Sequence, residues 1–168
     1  MLRGEKLPDR VGKFDFYIYI IKDEIVEVSP FFDAKAGDER VRRVIVNMKN
    51  YIFADAIAQS LQADKHSDFC VQRAATPEEV RQYAQLCEPY AVLLEVTGCP
   101  PYVLAERLKI RDAVKAAGPD CKVVFIVDEN SEEEVAEQVR EAKKQGLIDQ
   151  FIYGSISASY LVALVDTL

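Results

Sequence analysis

The amino-acid sequence predicts an α/β fold built on a doubly wound, parallel five-stranded sheet. From Val41 onward, short apolar runs alternate regularly with stretches of helical periodicity. The runs at 91–94 and 123–127 are apolar throughout, which is typical of strands buried on both faces of a parallel sheet. Five strands that are each followed by a helix favour right-handed crossovers and the strand order 2-1-3-4-5.

The first half of this pattern begins with a strand over 41–46 and a helix over about 51–63. A second strand is predicted at about 69–75. Thr76-Pro77-Glu78-Glu79 then supplies an N-cap threonine, a proline at the first helical position and a glutamate at N3, which predicts the start of the second helix.

The second half repeats the alternation three times. A strand at 91–94 is followed by a turn at 98–101 and a helix over about 102–117, whose apolar stripe is Val103, Ile110, Val114 and Ala117. A strand at 123–127 precedes Ser131-Glu132-Glu133-Glu134, interpreted as a second capping box. The last strand is predicted at 151–153, and the last helix from about Ser155 to Leu168.

Residues 1–40 stand outside this alternation. The β-prone run 14–21 and the run 25–28 predict a hairpin, and residues 34–39 are typical of a linker. We therefore expect an N-terminal hairpin extension over 1–40, followed by a domain over 41–168. Because an isolated hairpin is only marginally stable in water, this one must pack on the domain, extend its sheet or pair with another chain.

Composition narrows the class of protein. A net charge of −7 disfavours nonspecific binding to nucleic acid or anionic membranes. No apolar run is long enough to span a bilayer and the first residues do not resemble a secretion signal, so we expect a cytoplasmic protein. The four cysteines lack zinc-site spacing, and only Cys99, in a loop, is a candidate for reactivity. His66 is the single histidine and lies in a polar connection, so no nucleophile–base pair can be named.

Three segments carry a resemblance to a known family: Tyr90–Glu95 followed by Pro100, Lys122–Val127, and Gly146–Ile152. Their order and spacing resemble the receiver domain of two-component response regulators, in the CheY-like, flavodoxin-like superfamily. The resemblance spans Val41 to Leu168. It implies a phosphoacceptor aspartate after the third strand, two acids after the first strand that hold Mg²⁺, a Ser or Thr after the fourth, and a lysine after the fifth.

This chain departs from the family at each of those positions. Asn47 and Met48 replace the acidic pair, Glu95 replaces the phosphoacceptor, Val127 replaces the Ser or Thr and is followed by Asp128, and Gly154 replaces the lysine. A methionine is a poor ligand for a hard cation. The resemblance therefore implies a pseudo-receiver with a degenerate phosphoacceptor site and no metal, cofactor or catalytic residue.

Several positions in this site keep two interpretations. Glu95 either reaches into the site as a partial imitation of a phosphoryl group, or is a solvated residue at a strand end; its single charge is below the roughly −1.5 to −2 of a phosphoryl group. Asp128 with Glu95 and the Asn47 carbonyl would make a weak cation site, or a plain solvated loop. The junction from Tyr153 to Ser159 would cradle an anion on backbone amides, or simply cap a helix.

The predicted function is that of a phosphorylation-independent regulatory module, not an enzyme, that binds a protein partner or a second copy of itself. The resemblance places its contacts on the fourth helix, the fifth strand and the fifth helix, with Tyr153, Tyr160 and Leu164 as the interface residues. One alternative is a small-molecule-binding domain, which requires a sizeable apolar cleft at the strand ends. Another is an assembly protein whose N-terminal hairpin supplies strands to a neighbour.

Overall fold

The computed structural model describes residues 17–21, 24–28, 41–63 and 68–168. The chain divides into two units between Val41 and Arg42. In the first, β1 (Tyr17–Ile21) and β2 (Glu24–Val28) pair in antiparallel fashion, with Tyr17 opposite Val28, which confirms the predicted hairpin pairing. Residues 14–16, the predicted linker and His66 lie outside the described residues. The domain division at residue 40 stays a prediction.

The second unit alternates strands and helices as predicted. Its elements are β3 (Arg42–Asn47), α1 (Tyr51–Ala63), β4 (Phe69–Arg73), α2 (Pro77–Cys87), β5 (Ala91–Glu95), α3 (Leu104–Ala117), β6 (Lys122–Val127), α4 (Glu133–Lys144), β7 (Gln150–Tyr153) and α5 (Ala158–Asp166). The five strands form one parallel sheet in the order β4-β3-β5-β6-β7. Numbered within this unit the order is 2-1-3-4-5, and the predicted fold is confirmed.

The strand register aligns the carboxyl ends of the central strands. Asn47 lies opposite Leu94, Glu95 opposite Ile126, and Val127 opposite Tyr153. Because all of these strands are parallel, the residues that end them meet at one edge of the sheet. The fold thereby brings the predicted site residues Asn47, Glu95 and Asp128 to the same edge.

The sheet is buried on both faces. Residues 91–94 of β5 and 123–127 of β6 are at most 2% exposed, as their continuous apolar runs predict. Ile57 and Leu61 of α1 and Leu161 and Val165 of α5 pack together in a single apolar cluster with alternate strand residues. The remaining strand residues are covered by three other helices, α2, α3 and α4. The buried apolar stripes of these helices include Val80, Ile110, Val114 and Val139.

Helix starts confirm one predicted capping box and correct the other. Thr76 accepts a hydrogen bond from the amide of Glu79, and the Glu79 carboxylate accepts one from the amide of Ala75. Ser131, in contrast, does not cap α4: its hydroxyl donates to Asp128 Oδ2 at 2.6 Å, and the helix begins one residue later than a Ser131 cap requires. The nearby aspartate outcompetes the helix amides for this hydroxyl, because a charged acceptor forms the stronger hydrogen bond.

Three helix ends also differ from the prediction. α3 begins at Leu104, two residues after the predicted start, and α5 runs from Ala158 to Asp166 with Ser157 as its N-cap. Within the described part of the chain, every helix falls short of the length and apolar character needed to cross a bilayer.

Candidate functional site

A cleft of about 340 Å³ opens at the carboxyl edge of the sheet. It is lined by Lys49, Asn50, Glu95, Val96, Thr97, Asp128, Ser131 and Glu132. The structure therefore places Glu95 and Asp128 of the predicted site together. Of the other four, Asn47 and Val127 are fully buried, Met48 belongs to the apolar core cluster, and Gly154 lines a separate groove between α1 and α5.

The Glu95 carboxylate is held by the backbone of the loop that leads into α1. Its Oε2 accepts hydrogen bonds from the amides of Lys49 and Asn50, the latter at 3.2 Å. Asn50 continues the chain of contacts, since its Oδ1 caps α1 by accepting from the amides of Ile52 and Phe53. A carboxylate next to the start of a helix is also stabilised by the helix dipole. Glu95 thus fixes the end of β5 to the first turn of α1.

A buried arginine lies beneath this cleft. Arg107 of α3 is 0% exposed. Its Nη1 donates to Asn47 Oδ1 at 2.6 Å, its Nε to the Glu95 carbonyl at 2.7 Å, and its Nη2 to the Asn47 carbonyl at 3.3 Å. The guanidinium also lies 4.6 Å from the centre of the Tyr102 ring, within cation–π range.

Arg107 keeps its charge although all three of its hydrogen-bond acceptors are formally neutral. Burial lowers the pKa of the guanidinium to about 10, against the opposing influence of Tyr102 and Glu95. The group is therefore still protonated near pH 7. A charge this deep in the protein is tolerated only when its donors are satisfied, and here three oxygen acceptors and one aromatic ring satisfy them.

Arg107 is the buried residue beneath the cleft that the sequence interpretation missed. It falls on the apolar stripe of α3, four residues after Val103 and three before Ile110. A charged residue within an apolar stripe is the signal that would have found it, because charged side chains are seldom fully buried unless they are paired.

The contacts of Asn47 and Asp128 compete with the interpretation of Asn47, Glu95 and Asp128 as a cation site. The Asn47 carbonyl already accepts from Arg107, and the Asn47 amide nitrogen donates to the Ala74 carbonyl at 2.8 Å. Asp128 accepts from the Asn130 amide and from the Ser131 hydroxyl, which lowers the pKa of its carboxyl. Throughout the described residues, no three Asp, Glu, His or Cys side chains are grouped in a way that would hold a metal ion.

Glu132, the third acid at the cleft, joins two loops. Its Oε2 accepts a hydrogen bond from the Gly98 amide at 2.6 Å. A side chain at position 98 would place its Cβ only 2.9 Å from that oxygen, so the glycine permits the close approach. The contact ties the loop after β5 to the start of α4. All three carboxylates around the cleft are thus already hydrogen-bonded to groups of the protein.

Two amides of the junction after β7 are bonded within the protein. The Gly154 amide donates to the Val127 carbonyl, and the Ile156 amide donates to the Tyr153 carbonyl. The Ser157 hydroxyl caps α5 by accepting from the Tyr160 amide. This geometry supports the helix-capping interpretation of the segment over the anion-cradle interpretation.

The three predicted interface residues differ in exposure. Tyr160 is 57% exposed. Tyr153 is half-buried, with its ring in an edge-to-face contact with Phe151 at 5.4 Å, and Leu164 is packed partly against the core cluster. Tyr160 is therefore the residue of this set that is most available to a partner.

Comparison with solved structures identifies the fold as that of receiver domains. A CheY-like receiver domain from Methanospirillum hungatei JF-1 is 15% identical, with a TM-score of 0.59 over 76% of this chain and 92% of that one. The response regulator domain of CheB from Thermotoga maritima is 22% identical, with a TM-score of 0.56 over 76% and 96% of the two chains. A streptococcal protein, one of a family of redox sensors that evolved from two-component response regulators, is 14% identical, with a TM-score of 0.60 over 75% and 50%. No model of a protein family and no curated protein matches the sequence.

Proposed function

We propose that this chain is a receiver-like regulatory module that acts through contacts with proteins, is not phosphorylated at the carboxyl edge of its sheet, and is not an enzyme. The observation that carries the proposal is the Glu95 carboxylate on the amides of Lys49 and Asn50. An internal anion already occupies these donors, so the loop before α1 is held without an added phosphoryl group.

The charges around the cleft support the same function. A phosphoryl group is stabilised by a metal ion and a fixed cation. In this chain Asn47 and Met48 stand where the resemblance expects the metal-binding acids, and Gly154 stands where it expects the lysine. Arg107 supplies a positive charge nearby, but its donors are directed to Asn47 and to the Glu95 carbonyl. Lys49 also lines the cleft, but Glu95, Asp128 and Glu132 outnumber it there and would repel an incoming phosphoryl donor.

The polar lining of the cleft argues against the alternative function, that of a small-molecule-binding domain. Sites for small organic ligands are mostly apolar, with a few polar groups that fix orientation. The cleft at the strand ends has the required volume, but charged and polar side chains make up its lining, with Val96 as the apolar exception. We therefore infer a binding function carried by the protein surface. We propose separately that the protein acts in the cytoplasm.

The test is incubation of the full chain with Mg²⁺ and either beryllofluoride or acetyl phosphate. Intact mass spectrometry and titration calorimetry would report any adduct. We expect neither binding nor a mass increase, while a receiver domain with an intact aspartate site reacts under the same conditions. Stoichiometric binding that disappears in Glu95→Ala, but survives in the matched control Glu134→Ala on the exposed surface of α4, would refute the proposal.

A further inference from the structure

The surface over α1 and α5 differs in charge from the rest of the domain. Each of these helices contains one charged residue, Asp55 in α1 and Asp166 in α5. Both are neutralised within the domain, since Asp55 pairs with Arg73 and Asp166 with Arg42. In α4, by contrast, more than half of the positions are charged.

The same surface exposes large apolar side chains. Among the described residues, the large hydrophobic side chains most open to solvent are Tyr51 at 68%, Ile52 at 76% and Tyr160 at 57%. Tyr51 and Ile52 begin α1 and Tyr160 lies in the first turn of α5, so all three are at the carboxyl edge of the sheet.

An apolar groove of about 180 Å³ runs between these two helices. Its walls include Phe53 and Ala56 of α1 and Ile156, Ala158 and Leu161 around the start of α5. Exposed aromatic and aliphatic residues beside an apolar groove mark a site of protein association. We call the surface formed by Ile52, Ala56, Ile156 and Tyr160 the α1/α5 face; Tyr51 lies apart from it, because its ring is near Arg73 of β4.

We propose that the α1/α5 face binds the same face of a second copy of this chain, in a two-fold symmetric dimer. The proposal rests on the proposed function and names the partner. The chain has a net charge of −7, so two copies repel each other over most of their surfaces. Their charge-neutral α1/α5 faces can meet without burying an unpaired charge, whereas a strongly basic or acidic partner would find no opposite charge there.

The symmetry of a two-fold dimer also favours an uncharged interface. In a two-fold interface each residue meets the same patch of the other subunit, so the patch must be complementary to itself. Uncharged aromatic and aliphatic groups satisfy that condition, and an aromatic side chain such as Tyr160 would fill the groove of the partner subunit.

The first experiment measures the mass of the full chain by sedimentation equilibrium over a range of concentrations. We expect a dimer that is weakened roughly tenfold or more by Ile52→Glu and by Tyr160→Glu, as truncation or charging of a central contact does. Gln138→Glu adds the same charge at an exposed position of α4 and should leave the dissociation constant unchanged. Circular dichroism confirms that each variant is folded. A wild-type chain that is monomeric at about 100 µM, or variants that dimerise like it, would overturn the proposal.

A second experiment tests whether a second copy of the chain covers the α1/α5 face. Hydrogen–deuterium exchange of the full chain at low and high concentration should show protection at the start of α1 and of α5 that increases with concentration. Protection that does not change with concentration would reject the second copy as the occupant. Beryllofluoride binding tests the proposed function separately, because it reports on the cleft and not on mass.

Discussion

Arg107 Nη1 donates a hydrogen bond to Asn47 Oδ1 at 2.6 Å, and both side chains are completely buried. This bond joins α3 to the end of β3 beneath the cleft, at residues 60 positions apart in the sequence. Because both partners are buried, removing either one leaves the other without its hydrogen bond in a medium of low dielectric constant.

Replacement of Arg107 should therefore destabilise the domain strongly. We expect Arg107→Ala to lower the free energy of unfolding by about 3 kcal/mol, since it creates a cavity and leaves three acceptors unpaired. Arg107→Met, which fills the volume but makes no hydrogen bonds, should cost about 2 kcal/mol. Urea denaturation measures both. Lys109→Met removes an exposed cation from the same helix and should change the free energy by less than about 0.5 kcal/mol; equal effects of Arg107→Ala and Lys109→Met would contradict the prediction.

Two glycines at the sheet edge should respond in opposite ways to alanine. Gly98→Ala should cost up to about 1 kcal/mol, because its Cβ would push Glu132 Oε2 away and weaken the exposed hydrogen bond to the Gly98 amide. At Gly154 the nearest atoms to a Cβ are at 3.8 and 3.9 Å, so Gly154→Ala should be neutral or stabilising by a few tenths of a kcal/mol. Thermal denaturation compares the two. In a Glu132→Ala background the penalty at position 98 should shrink, and an undiminished penalty would exclude Glu132 as its cause.

Asp149 should contribute pH-dependent stability. Burial alone would raise the pKa of its carboxyl, but hydrogen bonds from Lys115 Nζ and from the Val123 amide outweigh it, so the pKa is lower in the folded protein. A carboxyl with a lowered folded pKa stabilises the fold above its unfolded pKa of about 3.9, and this contribution is lost as the pH falls through the folded pKa.

Asp149→Asn should therefore reduce the free energy of unfolding by about 1 kcal/mol at pH 7, a value discounted for partial exposure. The difference from wild type should narrow as the pH falls below about 4. Urea titrations at a series of pH values measure it, with Asp112→Asn on the exposed side of α3 as the control that shows no such trend. A difference that stays constant down to pH 2 would contradict the linkage.

The cysteines should differ sharply in reactivity. Cys99 is exposed, whereas Cys70 and Cys121 are buried, and burial raises the pKa of the Cys87 and Cys121 thiols to about 12. Because the thiolate is the reactive form, iodoacetamide near pH 7.5 should label Cys99 first in the folded protein and the others only after unfolding. Peptide mass mapping reads the result. Rapid labelling of Cys87 in the folded protein would contradict the prediction, and would show that the C-terminal end of α2 opens.

The fold was predictable because it depends on patterns that local sequence contains. The apolar runs of β5 and β6, and the turn residues between elements, are sufficient to indicate a parallel sheet with its strand ends at one edge. The capping box at Thr76 was predictable for the same reason, because its residues are close together in the sequence. These features need no knowledge of which residues meet across the fold.

The interior of the site was not predictable in the same way. The position of Arg107 on the apolar stripe of α3 indicates that it faces the interior, but its acceptor Asn47 lies on a distant strand and cannot be inferred from the periodicity of α3. Ser131 fails as a cap because Asp128 competes for its hydroxyl. In both cases a contact between side chains decides between two local preferences, and a pattern of apolar and polar residues does not encode that choice.

The guanidinium beneath Asn47 also determines what an acid at position 47 could do. An aspartate introduced there would meet Arg107 within hydrogen-bonding distance and form a buried ion pair, so its carboxylate would be held by the guanidinium and not free to bind a metal ion. A single acidic substitution at the end of β3 is therefore not enough to create a metal site at this edge of the sheet, and a second change on α3 would be needed.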